Sequence, residues 1–322
     1  MGYPQVRLRR LRRNAKMRSM VWQVQLRRED LIYPMFVRPG AGIKQPIESL
    51  VGCYYFSPDA IVEEVKCVAD LGISAVLLFG TDAPKDAEGS EAWSSNSIVC
   101  QAIEEIKKAN VDILVATDVC LCPYTEHGHC GVIEDGKVAN DRTCGNLAKM
   151  AVAHANAGAD IIAPSDMMDG RVGVIRGELD GNGFEDIAIL SYSAKYASAF
   201  YGPFRDAAGS APKQGDRKSY QMDPANVDIA VREVQLDIEE GADIVMVKPA
   251  MPYLDIITRI KQRFDVPVAA YHVSGEYMAV CAAAAAGYID LEAGMMESLL
   301  SIKRAGADII LTYFAKEAAE LI

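Results

Sequence analysis

The sequence predicts an α/β chain, a (β/α)8 TIM barrel with an extended N-terminal arm, and three observations lead there. Eight apolar, β-branched runs recur along the chain, helix-period stretches separate most of them, and one short phrase repeats three times. The runs are Leu31–Val37, Ile73–Gly80, Val111–Ala116, Ala159–Ala163, Ile187–Ser191, Ala242–Val247, Val266–Tyr271 and Ala307–Thr312. Continuous apolar runs are the pattern of strands buried on both faces, as in a parallel sheet covered by helices.

The connecting stretches carry helix punctuation. Ser57-Pro58-Asp59 opens the first helix with a cap residue and a proline in the first turn, and Leu71-Gly72 closes it. Ser95–Asn110, Thr143–Gly158 and Asp223–Gly241 behave likewise. The repeated phrase is Ala157-Gly158-Ala159-Asp160, Glu240-Gly241-Ala242-Asp243 and Ala305-Gly306-Ala307-Asp308, each reading as helix end, glycine stop and strand start. Eight parallel strands with covering helices make the barrel. A doubly wound open sheet is the competitor, weakened because no glycine-rich phosphate fingerprint follows a strand.

A chain of 322 residues suits one barrel domain at 29–322, preceded by a basic arm at 1–28. The net charge of −11 argues against nucleic-acid binding by the body of the protein. From Arg7 to Arg18 the balance reverses, with seven basic residues and no acid. A transit peptide would carry more serine; a nucleic-acid or lipid-binding arm is conceivable; an arm lying on an acidic neighbouring subunit is preferred. No apolar stretch has the length of a membrane span, and no signal peptide is evident. The eight cysteines therefore read as reduced and the protein as cytoplasmic.

Cys120, Cys122 and Cys130 lie within eleven residues, with Asp118 just ahead of them. Thiolates at this spacing suit Zn²⁺, and three protein ligands leave the open fourth position of a catalytic site. The blander reading is a chance group of thiols near a strand end. His127 and His129 could add a ligand but read as solvent-facing loop residues, and Cys53, Cys67, Cys100, Cys144 and Cys281 as ordinary small side chains.

In a barrel the active-site groups come from the carboxyl ends of the strands. Those positions carry Asp118 and Cys120, Ser165-Asp166, Lys195, Lys248, the stretch Tyr271 to Glu276, and Tyr313. A lysine at the end of an apolar strand loses hydration, and a second ammonium nearby disfavours its charge further. A neutral amine attacks a ketone to form a Schiff base. The alternative is a lysine whose ammonium pairs with a carboxylate such as Asp118. The stretch from Tyr201 to Gln221 is glycine-rich and lacks helical period; by itself it reads as a solvated charged loop, and the functional alternative is a lid on which Arg205 and Arg217 could close over a carboxylate.

From the basic arm to near its C-terminus the chain resembles the porphobilinogen synthase family, also called 5-aminolevulinate dehydratase. The matching stretches are Thr117–Gly131, Ala163–Arg171, Ser191–Lys195 with Phe204–Ala208, Met246–Pro249 and Tyr271–Glu276. The resemblance implies a barrel enzyme that condenses two molecules of 5-aminolevulinate to porphobilinogen in tetrapyrrole synthesis. It implies that Lys248 carries the Schiff base, with Lys195 as partner lysine; on physical grounds Asp118 or Lys195 could then shuttle protons. Arg205, Arg217 and Gln221 fall where the family holds one carboxylate, Ser274 and Tyr313 where it holds the other. It assigns Cys120, Cys122 and Cys130 to the zinc-using branch, Glu233 to an allosteric Mg²⁺ site, and the arm to a homo-octamer. A Schiff-base aldolase would share the lysine but has no use for three thiols; a zinc-binding scaffold would share the thiols but not the lysine-and-arginine mouth.

Overall fold

The computed structural model describes residues 2–322. Eight parallel strands form the barrel: β1 Leu31–Val37, β2 Ala75–Gly80, β3 Leu114–Val119, β4 Ile161–Pro164, β5 Ala188–Lys195, β6 Ile244–Lys248, β7 Val268–His272 and β8 Ile309–Thr312. Each pairs with its neighbour in chain order, and β1 pairs with β8 through Leu31↔Ile310 and Ile32↔Leu311. That last pairing closes the sheet and excludes the doubly wound alternative. The helices between strands are α1 Ile61–Asp70, α2 Ile98–Lys108, α3 Asn140–Ala157, α4 Arg171–Gly181, α5 Asp228–Glu239 and α6 Leu254–Arg263. Two helices, α7 Ser274–Ala285 and α8 Leu291–Ala305, follow β7, and α9 Ala315–Leu321 ends the chain.

The repeated glycine–alanine–aspartate phrase has a physical cause. Gly158, Gly241 and Gly306 have φ of 107°, 106° and 119°, the left-handed conformation that ends a helix without a Cβ penalty. Two residues on, each aspartate accepts a backbone N–H from the neighbouring strand: Asp160 from Val115 at 2.7 Å, Asp243 from Ile189 at 2.8 Å and Asp308 from Val268 at 2.8 Å. The phrase thus turns the chain and sets the register at the amino-terminal end of the barrel, away from the mouth.

Several expectations shift. β3 begins at Leu114 rather than Val111, because Val111–Ile113 forms a tight turn closed by an Ile113 N–H to Val111 carbonyl bond of 2.9 Å. β5 continues four residues past Ser191, so Lys195 stands on the strand and not after it. Ser57 does not cap α1: its hydroxyl donates to Asp59 at 2.5 Å and accepts from the Ile43 N–H at 2.9 Å. The expected lid contains one turn of helix, Gly202–Ala207, with Pro203 at its start.

The arm contributes a 3-10 turn at Leu8–Arg12 and a helix at Ala15–Met20, neither with a buried residue. Tyr3, Leu8, Leu11, Met20 and Trp22 are among its exposed side chains. At its base Asp30 is buried and pairs with Arg27 at 2.6 Å and Lys303 at 2.9 Å. No helix among the described residues is long and apolar enough to cross a membrane.

Candidate active site

The carboxyl ends of β5 and β6 stand side by side, with Lys195 and Lys248 in register. Both side chains are buried. The Lys248 Nζ lies 4.3 Å from the ring centre of Tyr271, 4.9 Å from Tyr192, 5.3 Å from Phe204 and 5.4 Å from Tyr201. Burial, and then the Lys195 charge, lower its pKa from 10.5 to about 7. Among the described residues neither lysine has a carboxylate within salt-bridge distance. The ion-pair alternative to a reactive amine is therefore not the arrangement adopted. Lys195 instead donates to the Ser165 carbonyl, at the end of β4.

Asp118 sits on the same floor, at the end of β3. Burial raises its pKa to about 6, against a Ser165 hydrogen bond and the two lysine charges that lower it, and its Oδ1 has no hydrogen-bond partner. A carboxyl poised there can both hold and release a proton near neutral pH.

Beside these groups, Cys120, Cys122 and Cys130 bring their three sulfurs within 4.8 Å of one another, all buried, with Cys120 and Cys122 Sγ 3.3 Å apart. The Cys130 thiol is pulled well below its ordinary range by hydrogen bonds from the other two thiols, helped by Arg217 and Lys195, whereas burial holds Cys120 well above it. Three soft donors converging on one point, one of them easily ionised, fit a thiophilic divalent cation. The other five cysteines are free.

The remaining expected residues lie around the mouth. Arg217 is buried and donates to the carbonyls of Gly128 at 2.8 Å and of Ser210. Arg205 is half-buried, its Nε without a partner, and burial beside Arg217 lowers its pKa. Gln221 is buried with both amide atoms unpartnered. These orphaned groups are the kind a bound polar ligand satisfies. Tyr313 and Tyr271 share a hydrogen bond of 3.2 Å, and Ser274 begins α7. Glu233 stands apart on α5, half-buried, lining a cleft of about 930 Å³ with Asp169, Asp216 and Asp223. Among the described residues it belongs to no group of three metal-binding side chains.

The histidines differ from expectation. His129 is buried, not solvent-facing: its ring nitrogens meet the Tyr220 hydroxyl at 3.1 Å and the Gln214 carbonyl at 2.9 Å. It ties the 201–221 stretch to the thiol-bearing loop, because Tyr220 also accepts the Cys130 N–H at 3.3 Å.

Three features escaped the sequence. The aromatic box round Lys248 draws on β5, β7 and the lid, so no local pattern announces it. Glu276, buried with its pKa raised to about 7 by desolvation, accepts three backbone N–H groups. Arg171 is fully buried and donates to Asp237 at 2.7 Å and to Ser191 at 3.1 Å, locking α4 and α5 onto β5. In the sequence the hint is no more than an arginine directly after Gly170.

Fold and mouth together define a (β/α)8-barrel enzyme whose mouth holds two buried lysines and a thiol triad that could hold a metal. The family model for delta-aminolevulinic acid dehydratase matches residues 5–321. The chain is 54% identical over 322 residues to the delta-aminolevulinic acid dehydratase of Methanothermus sociabilis, covering all of both chains. It is 55% identical over 321 residues to that of Synechococcus elongatus, covering 98% of each. The solved structure of delta-aminolevulinic acid dehydratase (porphobilinogen synthase) from Toxoplasma gondii, in complex with the reaction product porphobilinogen, superposes with a TM-score of 0.96 at 45% identity, covering 99% of this chain and 92% of that one. The chain belongs to the delta-aminolevulinic acid dehydratase family.

Proposed function

We propose that the chain condenses two molecules of 5-aminolevulinate to porphobilinogen with loss of two waters, an early step toward tetrapyrroles, through an imine on Lys248. The observation that carries this reading is the Lys248 amine, lowered to about 7 inside four aromatic rings. At neutral pH a large share of it is the free base, whose lone pair attacks the ketone carbon of the first substrate. Loss of water from the carbinolamine leaves the imine, which acidifies the neighbouring carbon.

The residues around it take distinct tasks. Ser274 and Tyr313 hold the first carboxylate, and Arg205, Arg217 and Gln221 hold the second. Positioning of this kind turns a bimolecular condensation into an effectively intramolecular one. Asp118 and Lys195 carry protons to and from the carbinolamine oxygen and the reacting carbon. Cys120, Cys122 and Cys130 would hold Zn²⁺, which when bound supplies Lewis acidity and orientation toward the second substrate.

Assembly and regulation belong to the same reading. The arm, residues 1–28, bridges to neighbouring subunits of a homo-octamer, supported by its exposed apolar side chains and its charge opposite to that of the acidic body. Glu233 holds an allosteric Mg²⁺, which keeps most of its water and so needs few protein ligands. Reduced, free cysteines fit a cytoplasmic protein. Purified protein assayed with 5-aminolevulinate should make porphobilinogen and lose activity on addition of a thiophilic chelator. Absence of porphobilinogen with zinc and magnesium supplied would overturn the reading.

A further inference from the structure

The start of α7 is tied to two other parts of the mouth. The Glu276 carboxylate accepts the Val273 N–H at 2.6 Å, an ordinary bond within its own helix start. It also accepts the Met251 N–H at 2.5 Å and the Ala250 N–H at 3.4 Å, from the loop that follows Lys248. A residue that only capped α7 would have no reason to reach that loop. Next to it, a Cβ on Gly275 would lie 2.5 Å from the Phe200 carbonyl oxygen, so only glycine admits this approach. Ser274 completes the junction: its hydroxyl accepts the Phe204 N–H at 3.0 Å and donates weakly to the Phe200 carbonyl at 3.4 Å. That long donated bond is the one a substrate carboxylate can replace at little cost.

We propose that Glu276 is a positioning residue that fixes the span between the Lys248 amine and the Ser274 hydroxyl, and so sets the length of oxo acid the mouth accepts. The inference rests on the reading of Lys248 as the imine-forming lysine and Ser274 as a carboxylate holder. In 5-aminolevulinate two methylenes separate the ketone from the carboxylate. A rigid span between the groups that grip those two ends therefore acts as a ruler. The Glu276 side chain bonds both the loop after Lys248 and the start of the Ser274 helix.

The test uses 4-oxopentanoate, with two methylenes between its ends, and 5-oxohexanoate, with three. With either acid the Lys248 amine replaces the ketone oxygen, releasing water, and borohydride then delivers hydride to the imine carbon to leave a stable secondary amine. In the wild-type protein the shorter acid should be trapped about tenfold faster or more, the scale of a one-methylene discrimination. In Glu276→Asp, whose carboxylate is too short to span both partners, the ratio should fall to within about twofold. Glu276→Gln keeps the length and one accepting oxygen, and should recover most of the selectivity. A merely structural role would reduce the amount of folded protein but leave the ratio unchanged. A wild-type ratio in Glu276→Asp, or equal trapping of both acids by the wild type, would overturn the inference while leaving the imine intact. No trapping of either acid by the wild type would instead overturn the reading beneath it.

Discussion

Replacing Lys248 by methionine should abolish activity and at the same time stabilise the fold. The lysine stands buried without a carboxylate partner, and its pKa falls from 10.5 to about 7. That gap corresponds to about 5 kcal/mol of penalty against the charged form. Contact with four aromatic faces favours the ammonium and offsets roughly 1–2 kcal/mol of it. Methionine keeps the length and loses the charge, so the net gain should be about 3 kcal/mol where the penalty is fully felt. The pH dependence follows from linkage. The unfolded lysine holds its proton up to about 10.5 and the folded one releases it near 7, so wild-type stability rises with pH between those values. The variant's advantage is therefore largest below about pH 7 and shrinks toward 10.5. Urea denaturation of both proteins at pH 6 and pH 9 measures it. A Lys248→Met protein no more stable than wild type at pH 6, or an advantage that does not shrink at pH 9, would refute the reasoning.

Three further outcomes are expected. Cys122→Ala should lose most bound zinc, measured by atomic emission, and most activity, while its thermal transition moves little, because an open three-ligand site serves chemistry more than folding. Removing residues 1–18 should give particles smaller than an octamer in light scattering, and Glu233→Ala should abolish activation by Mg²⁺ while leaving zinc content unchanged. Asp237→Ala should cost about 3 kcal/mol in denaturation, since it removes the 2.7 Å partner of a buried arginine and leaves it only Asp166 at 4.0 Å, and Arg171→Met in the same chain should recover part of that loss.

The barrel was legible because its strands are buried on both faces and its turns repeat. The glycine–alanine–aspartate phrase marks helix ends through φ and strand starts through the aspartate bond, and both effects are local. β5 runs past its expected end because Ser191 and Ser193 break the apolar run that marks a strand in the sequence. They are buried all the same, Ser191 donating to Asp237 at 2.7 Å. The thiols and the strand-end lysines were visible as residue types at revealing positions. What holds them was not. The rings over Lys248 come from separate elements, and Arg171 finds Asp237 across 66 residues of chain, a partnership that only the folded packing of α4 against α5 and β5 creates. His129 looked like a loop histidine because nothing nearby in sequence announces Tyr220, which covers it.

The central claim is that Lys248 forms the imine. The most direct measurement incubates the protein with 5-aminolevulinate and borohydride, then maps the modified peptide by mass spectrometry. Activity should be lost together with the appearance of a reduced adduct on Lys248, absent without borohydride. An unmodified Lys248 in inactivated protein, or full activity in Lys248→Ala, would contradict it.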